Sequence, residues 1–181
     1  MENTTATKMH ISYAITISII LILVQVIGYV FGISQENWFG YINQVLLLIG
    51  VLMEVRSYGK SEAYTASFGK LFGSGFKTTL IITLIMLVFL VVFILLFPDV
   101  KSRALEIARE KMEHKQLSEE QIDQGLAFTS RFFMVFAIIG SIFFNLVTGI
   151  IGSLIGAAVT KKDAHPEMTG ETPGENPPSG I

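Results

Sequence analysis

Cysteine is absent from the 181 residues, so neither a disulfide nor a thiolate metal site is open to this chain. Charge is scarce too. Asp, Glu, Lys and Arg make up 15% of the sequence, where soluble domains carry about 25%. Four windows hold none of them: Ile11 to Ile33, Asn37 to Met53, Thr78 to Pro98 and Phe132 to Thr160. With a net charge of −2 the chain offers no basic surface to nucleic acid. The three histidines, His10, His114 and His165, are too far apart in sequence to suggest a ligand set, so no metal is expected. No nucleophile stands beside a base, and no internal repeat relates the two halves, which leaves catalysis and inverted-repeat transport without a signature.

What fills the space is apolar side chain, 51% of the residues. A helix rises 1.5 Å per residue, so about 20 uncharged residues match the roughly 30 Å hydrocarbon layer. The pattern predicts an all-α integral membrane protein, with a four-span membrane domain over residues 1–162. The spans fall near 11–33, 37–55, 77–98 and 131–160, and an outer helical segment covers 99–130. The first apolar run is longer than a signal-peptide core and no small-x-small site follows it, which favours an uncleaved anchor. From Asp163 onward, the acidic Pro/Gly-rich stretch ending TGETPGENPPSG has too little apolar surface to fold and reads as a disordered tail over 163–181.

The gap between the first two spans is so short that they must form an antiparallel hairpin. Trp38 and Tyr41 beside it read as interfacial anchors. The next connection carries Arg56, Lys60, Lys70 and Lys77, which places it in the cytoplasm by the positive-inside rule. Lys8 and Lys161-Lys162 agree, so both termini are expected inside a bacterial inner membrane. Between spans two and three, Tyr64, Phe68 and Phe72 recur every four residues and predict a cytoplasmic interfacial helix, with Gly73 and Gly75 bending the chain into span three. Outside, Pro98 ends span three. Leu105, Ala108 and Met112 make a thin apolar stripe, and Arg103 with Glu106 and Arg109 with Glu113 sit at pairing distance. The capping box Ser118-Glu119-Glu120-Gln121 restarts a helix. Together these predict an extracytoplasmic helical hairpin.

The stretch GSGFKTT, Gly73 to Thr79, imitates a phosphate-binding loop. It fails as one because Phe76 parts Gly75 from Lys77, and because a membrane span rather than a soluble helix follows. No nucleotide is expected. On the segments SFGKLFGSGFKTT, LSEEQID and GIIGSLIGAAVTKK, the chain resembles the bacterial four-helix membrane family catalogued as domain of unknown function 4199, known mainly from Bacteroidota. The resemblance runs from about Lys8 to Lys162. It implies an inner-membrane location and this layout, and it supplies no activity, cofactor or catalytic residue.

Polar residues inside the spans are uncharged amides and hydroxyls: Gln25, Asn43, Gln44, Asn145, Ser18, Ser141 and Thr148. Glu54 is the nearest ionisable group, placed at a helix end where it reaches water. Small residues recur on the fourth span at Gly149, Gly152, Ser153 and Gly156 and predict a close helix contact. That contact lies within the chain, which four spans already demand, or else with a membrane partner or second copy through span four or the outer hairpin. No catalytic, cofactor or metal residue is expected. The resulting expectation is a non-enzymatic accessory or interaction subunit embedded in the lipid bilayer, with an oligomeric small-solute transporter or channel as the alternative.

Overall fold

In the computed structural model, which describes residues 2–34, 36 and 38–163, five helices follow in order: α1 (Glu2–Val30), α2 (Phe39–Ser61), α3 (Phe68–Leu96), α4 (Asp99–His114) and α5 (Glu119–Asp163). The described residues contain no strand. Four helices are long and apolar enough to cross a membrane: α1, α2, α3 and α5. That is the architecture of a multi-pass membrane protein. The expected tail lies outside the described residues, apart from Asp163, which closes α5.

α1 stops because Gly32 takes φ +73°, a left-handed value that a Cβ penalises. The amides of Ile33 and Ser34 then both reach back to the Gly28 carbonyl, at 2.9 and 3.0 Å, and satisfy the frayed end. α2 continues past residue 55 as far as Ser61. It is closed by Ala63 at φ 48° and Tyr64 at φ 59°, with the Tyr64 amide on the Gly59 carbonyl at 2.8 Å.

The bend expected at Gly73 and Gly75 is absent, and no separate helix precedes span three. Ser67 caps α3, accepting from the Lys70 amide, and the helix runs unbroken through both glycines to Leu96. Phe68 and Phe72 therefore belong to its first two turns, where Phe72 stacks on Phe76 at 5.9 Å between ring centroids. Tyr64 sits in the preceding loop. Gly75 earns its place by proximity. A methyl group there would stand 2.6 Å from both Ser153 Oγ of α5 and Val55 Cγ2 of α2, so the missing side chain is what lets three helices meet.

α5, at 45 residues, spans about 67 Å and extends well beyond the apolar layer. Its first turn carries the anticipated capping box in full. Ser118 Oγ accepts from the Gln121 amide at 3.4 Å, and Gln121 Oε1 accepts from the Ser118 amide at 3.1 Å. α4 folds back on this extension. Met112 packs over Gly125 and Arg109 pairs with Asp123 at 2.9 Å, not with Glu113. Arg103 pairs within its own helix with Asp99 at 3.4 Å, not with Glu106.

Ala14, Ile17 and Leu21 of α1, Leu47, Val51 and Val55 of α2, Leu71 and Ile82 of α3 and Ala157 of α5 form the shared core. Outward faces carry Ile19 and Leu23, Leu84 and Val88, Ile139 and Phe143, all at least half exposed. Large apolar residues on the outside suit hydrocarbon, where association depends on close packing and polar contacts.

Candidate functional site

Glu54 lies on the buried stripe of α2 with Leu47, Val51 and Val55, and its side chain is 0% exposed. It has seven residues of helix beyond it, so it does not reach water at a helix end. Two neighbouring helices supply its partners. His10 of α1 places Nδ1 2.8 Å from Glu54 Oε1, and Ser74 of α3 donates its hydroxyl to the same oxygen at 2.6 Å. Oε2 has no partner among the described residues. Beside the His10–Glu54 pair, Tyr13 of α1 meets Ser57 of α2, with 2.6 Å between oxygens. The tilted Tyr58 ring, 5.4 Å from the His10 ring centroid, covers the cluster. On antiparallel helices a step up one chain faces a step down the other, as Ile17 against Gly50 and Gly28 against Phe39 show. His10–Glu54 and Tyr13–Ser57 are therefore crossed diagonals that meet at one level of the α1–α2 seam.

A carboxylate taken out of water is costly unless hydrogen bonds to its charged form compensate it. Glu54 has two partners on one oxygen and none on the other. The cluster thus joins three helices at one buried carboxyl group. It is not a nucleophile relay, because the Ser74 hydroxyl bonds the acid directly rather than the histidine, and Ser74 is buried.

Above this centre the polar side chains continue through the bundle. Ser18, Thr78 and Thr83 on this side, and Thr160 on the other side of Glu54 against Gly59, are buried, and their hydroxyls have no partner among the described residues. An amide layer follows, in which Asn43 donates to Gln25 at 2.8 Å and Thr148 donates to Gln44 at 2.7 Å. This layer borders a cavity of about 300 Å³ between all four long helices, with Val100 of α4 at its rim. At the far end Tyr29 donates to both Asp99 oxygens, at 2.8 and 2.9 Å. The Tyr29 ring meets Phe93 edge-on at 5.1 Å, and the Arg103 guanidinium lies 5.8 Å over it.

The small residues singled out on the last span all face inward. Gly149 lies directly against Thr79 of α3, a Cβ on Gly156 would come within 3.0 Å of Val55, and one on Gly152 would touch Leu48 and Val51 at 3.4 Å. Ser153 is fully buried and donates to the Gly149 carbonyl at 2.6 Å. Trp38 and Tyr41 are exposed at the start of α2, and Lys77 of the GSGFKTT stretch is exposed on α3. Sequence reasoning missed His10, Glu54 and Ser74 as a unit. The available signal was register: His10, Ala14, Ile17 and Leu21 form one helical stripe, as do Leu47, Val51 and Glu54.

No curated protein and no solved structure matches the chain. A family profile matches residues 12–162, which takes in Glu54, Ser74, the amide layer and the small-residue face, with His10 two residues upstream. By that match the chain belongs to the family described as protein of unknown function, DUF4199.

Proposed function

We propose that the protein is a small proton-linked membrane translocator whose proton-exchanging group is Glu54. The observation that carries this reading is a fully buried carboxyl group at the junction of three membrane helices, with one oxygen unpartnered. Ionisable groups in such places are expensive to keep and mark ion or substrate pathways. The titratable side chains around Glu54 are His10 and, beside it, Tyr13 and Tyr58. The hydroxyls and amides above them form a polar interior leading toward Tyr29 and Asp99. Arg56 and Lys60 of α2 and Lys70 and Lys77 of α3 cluster at the Glu54 end. This supports a cytoplasmic inner-membrane placement of that end and of both termini. The test is proton flux into proteoliposomes holding a pH-sensitive dye. Wild-type protein should dissipate an imposed gradient severalfold faster than Glu54→Gln at equal protein content, and equal rates would overturn the proposal.

A second reading, an accessory subunit, draws on α4 and the first turns of α5. These project beyond the apolar layer as a charged hairpin, with no fully buried residue on α4. A stoichiometric partner that co-purifies in mild detergent and is lost on reversing the exposed charges of α4 would support it. Purification of the protein alone, with Glu54-dependent flux, would count against it.

A further inference from the structure

The cavity in the amide layer does not belong to the Glu54 cluster, and its chemistry is more specific than that of a void. We infer that it binds a neutral small molecule bearing an amide or hydroxyl group on a flat, ring-sized apolar body. As the solute of the translocator, this rests on the reading above; as a binding site, it stands on the cavity alone.

Size comes first. An apolar cavity of about 150 Å³ accommodates benzene, so about 300 Å³ admits a ring with a polar substituent, at the lower end of ligand pockets. Position comes second. Residues of all four long helices line the space, which is open on one side, where the lining Phe144 is exposed. Charge comes third. No Asp, Glu, Lys, Arg or His lines it, so a charged guest would lose its hydration with no counter-ion in return.

The unspent hydrogen bonds then define the guest. Ser141 and Asn145, one turn apart on α5, both line the cavity, and their side chains make no hydrogen bond among the described residues. Asn145 stands near the middle of the uncharged stretch that ends at Thr160, about 22 Å away along the helix. An amide at that depth without a partner is unfavourable, so it calls for one. Gln44 spends its carbonyl on Thr148, leaving its NH₂ group as a further donor. Donors and an acceptor together fit a guest that both gives and takes a hydrogen bond, while Phe89, Phe133 and Phe144 supply faces for an apolar ring. Phe93 lines the same cavity and packs on Tyr29.

The test uses the full chain in lipid nanodiscs and three probes of similar size: benzamide, benzoate and ethylbenzene. Binding is read by saturation-transfer NMR and by thermal stabilisation. Benzamide should bind saturably, and benzoate and ethylbenzene about tenfold or more weakly, since a site built on hydrogen bonds rejects a guest lacking them. Asn145→Leu keeps the side-chain volume and removes no protein hydrogen bond, so it should fold normally and weaken benzamide about tenfold. Ala137→Phe, checked for helicity and monodispersity, should block binding by filling the space. Ethylbenzene binding as tightly as benzamide, or benzamide indifferent to Asn145→Leu, would mean an apolar void and overturn the inference. So would a folded protein that binds none of the probes, a cavity holding water alone. Glu54→Gln should retain benzamide binding. Retained binding with Glu54-independent flux would sink the translocator and spare the site, and the converse would spare the translocator and sink the site.

Discussion

Ser74 donates its hydroxyl to Glu54 Oε1 at 2.6 Å, the same oxygen that His10 approaches at 2.8 Å, and so joins α1, α2 and α3 at one buried acid. Removing that hydroxyl by Ser74→Ala should cost about 1–3 kcal/mol, the range for leaving a buried polar group short of a partner. Glu54→Gln should cost less, because its amide carbonyl still accepts from Ser74. Thermal unfolding in one detergent measures both, and an unchanged midpoint for Ser74→Ala would deny the contact.

The glycines should rank by what a methyl group would meet. Gly75→Ala and Gly149→Ala drive a Cβ into α2, α3 or α5 side chains and should lose about 1–3 kcal/mol by overpacking. Gly152→Ala meets only ordinary contacts at 3.4 Å and should be milder. Gly140 has nothing within 4 Å, so Gly140→Ala should gain up to about 1 kcal/mol from helix propensity. Particle size by light scattering should not change. If Gly149→Ala dissociates a larger complex without lowering stability, the face serves a partner instead.

Much of this architecture was legible because lipid imposes it. Uncharged windows gave the long helices, Ser118 and Gln121 gave the start of α5, and the spacing from Gly149 to Gly156 gave a tight face. The unbroken α3 was not legible. Gly73 and Gly75 read as a bend from sequence, whereas close contact with Val55 and Ser153, a tertiary fact, makes glycine necessary at position 75 inside a continuous helix, and Gly73 has open space around it. Glu54 was misplaced for a related reason. Arg56 and Lys60 just beyond it suggested water, yet α2 runs on to Ser61 and turns Glu54 inward beside Val51 and Val55. The Tyr29–Asp99 contact joins residues 70 positions apart, which no local pattern encodes.

Because the chain lacks cysteine, single thiols report topology cleanly. Ser61→Cys at the end of α2 and Ser118→Cys before α5, both exposed, should react from opposite sides of the membrane. The Ser118 position should label in intact cells with an impermeant reagent, and the Ser61 position only after permeabilisation. Equal labelling of both in intact cells would refute the arrangement.

The α4–α5 clamp should contribute little. Arg109 and Asp123 are 52% and 70% exposed in their side chains, and exposed ion pairs give about 0.2–1 kcal/mol. A double-mutant cycle should fall in that range and shrink in high salt. A larger, salt-insensitive coupling would mean the hairpin is buried against something else.

The central claim is that Glu54 exchanges a proton while enclosed in the bundle, and infrared difference spectroscopy of the protein in nanodiscs tests it directly. Across a pH titration over the range in which the fold is stable, wild-type protein should show a protonated-carboxyl band that comes and goes reversibly and is missing from Glu54→Gln. Identical difference spectra for the two proteins throughout that range would contradict the account.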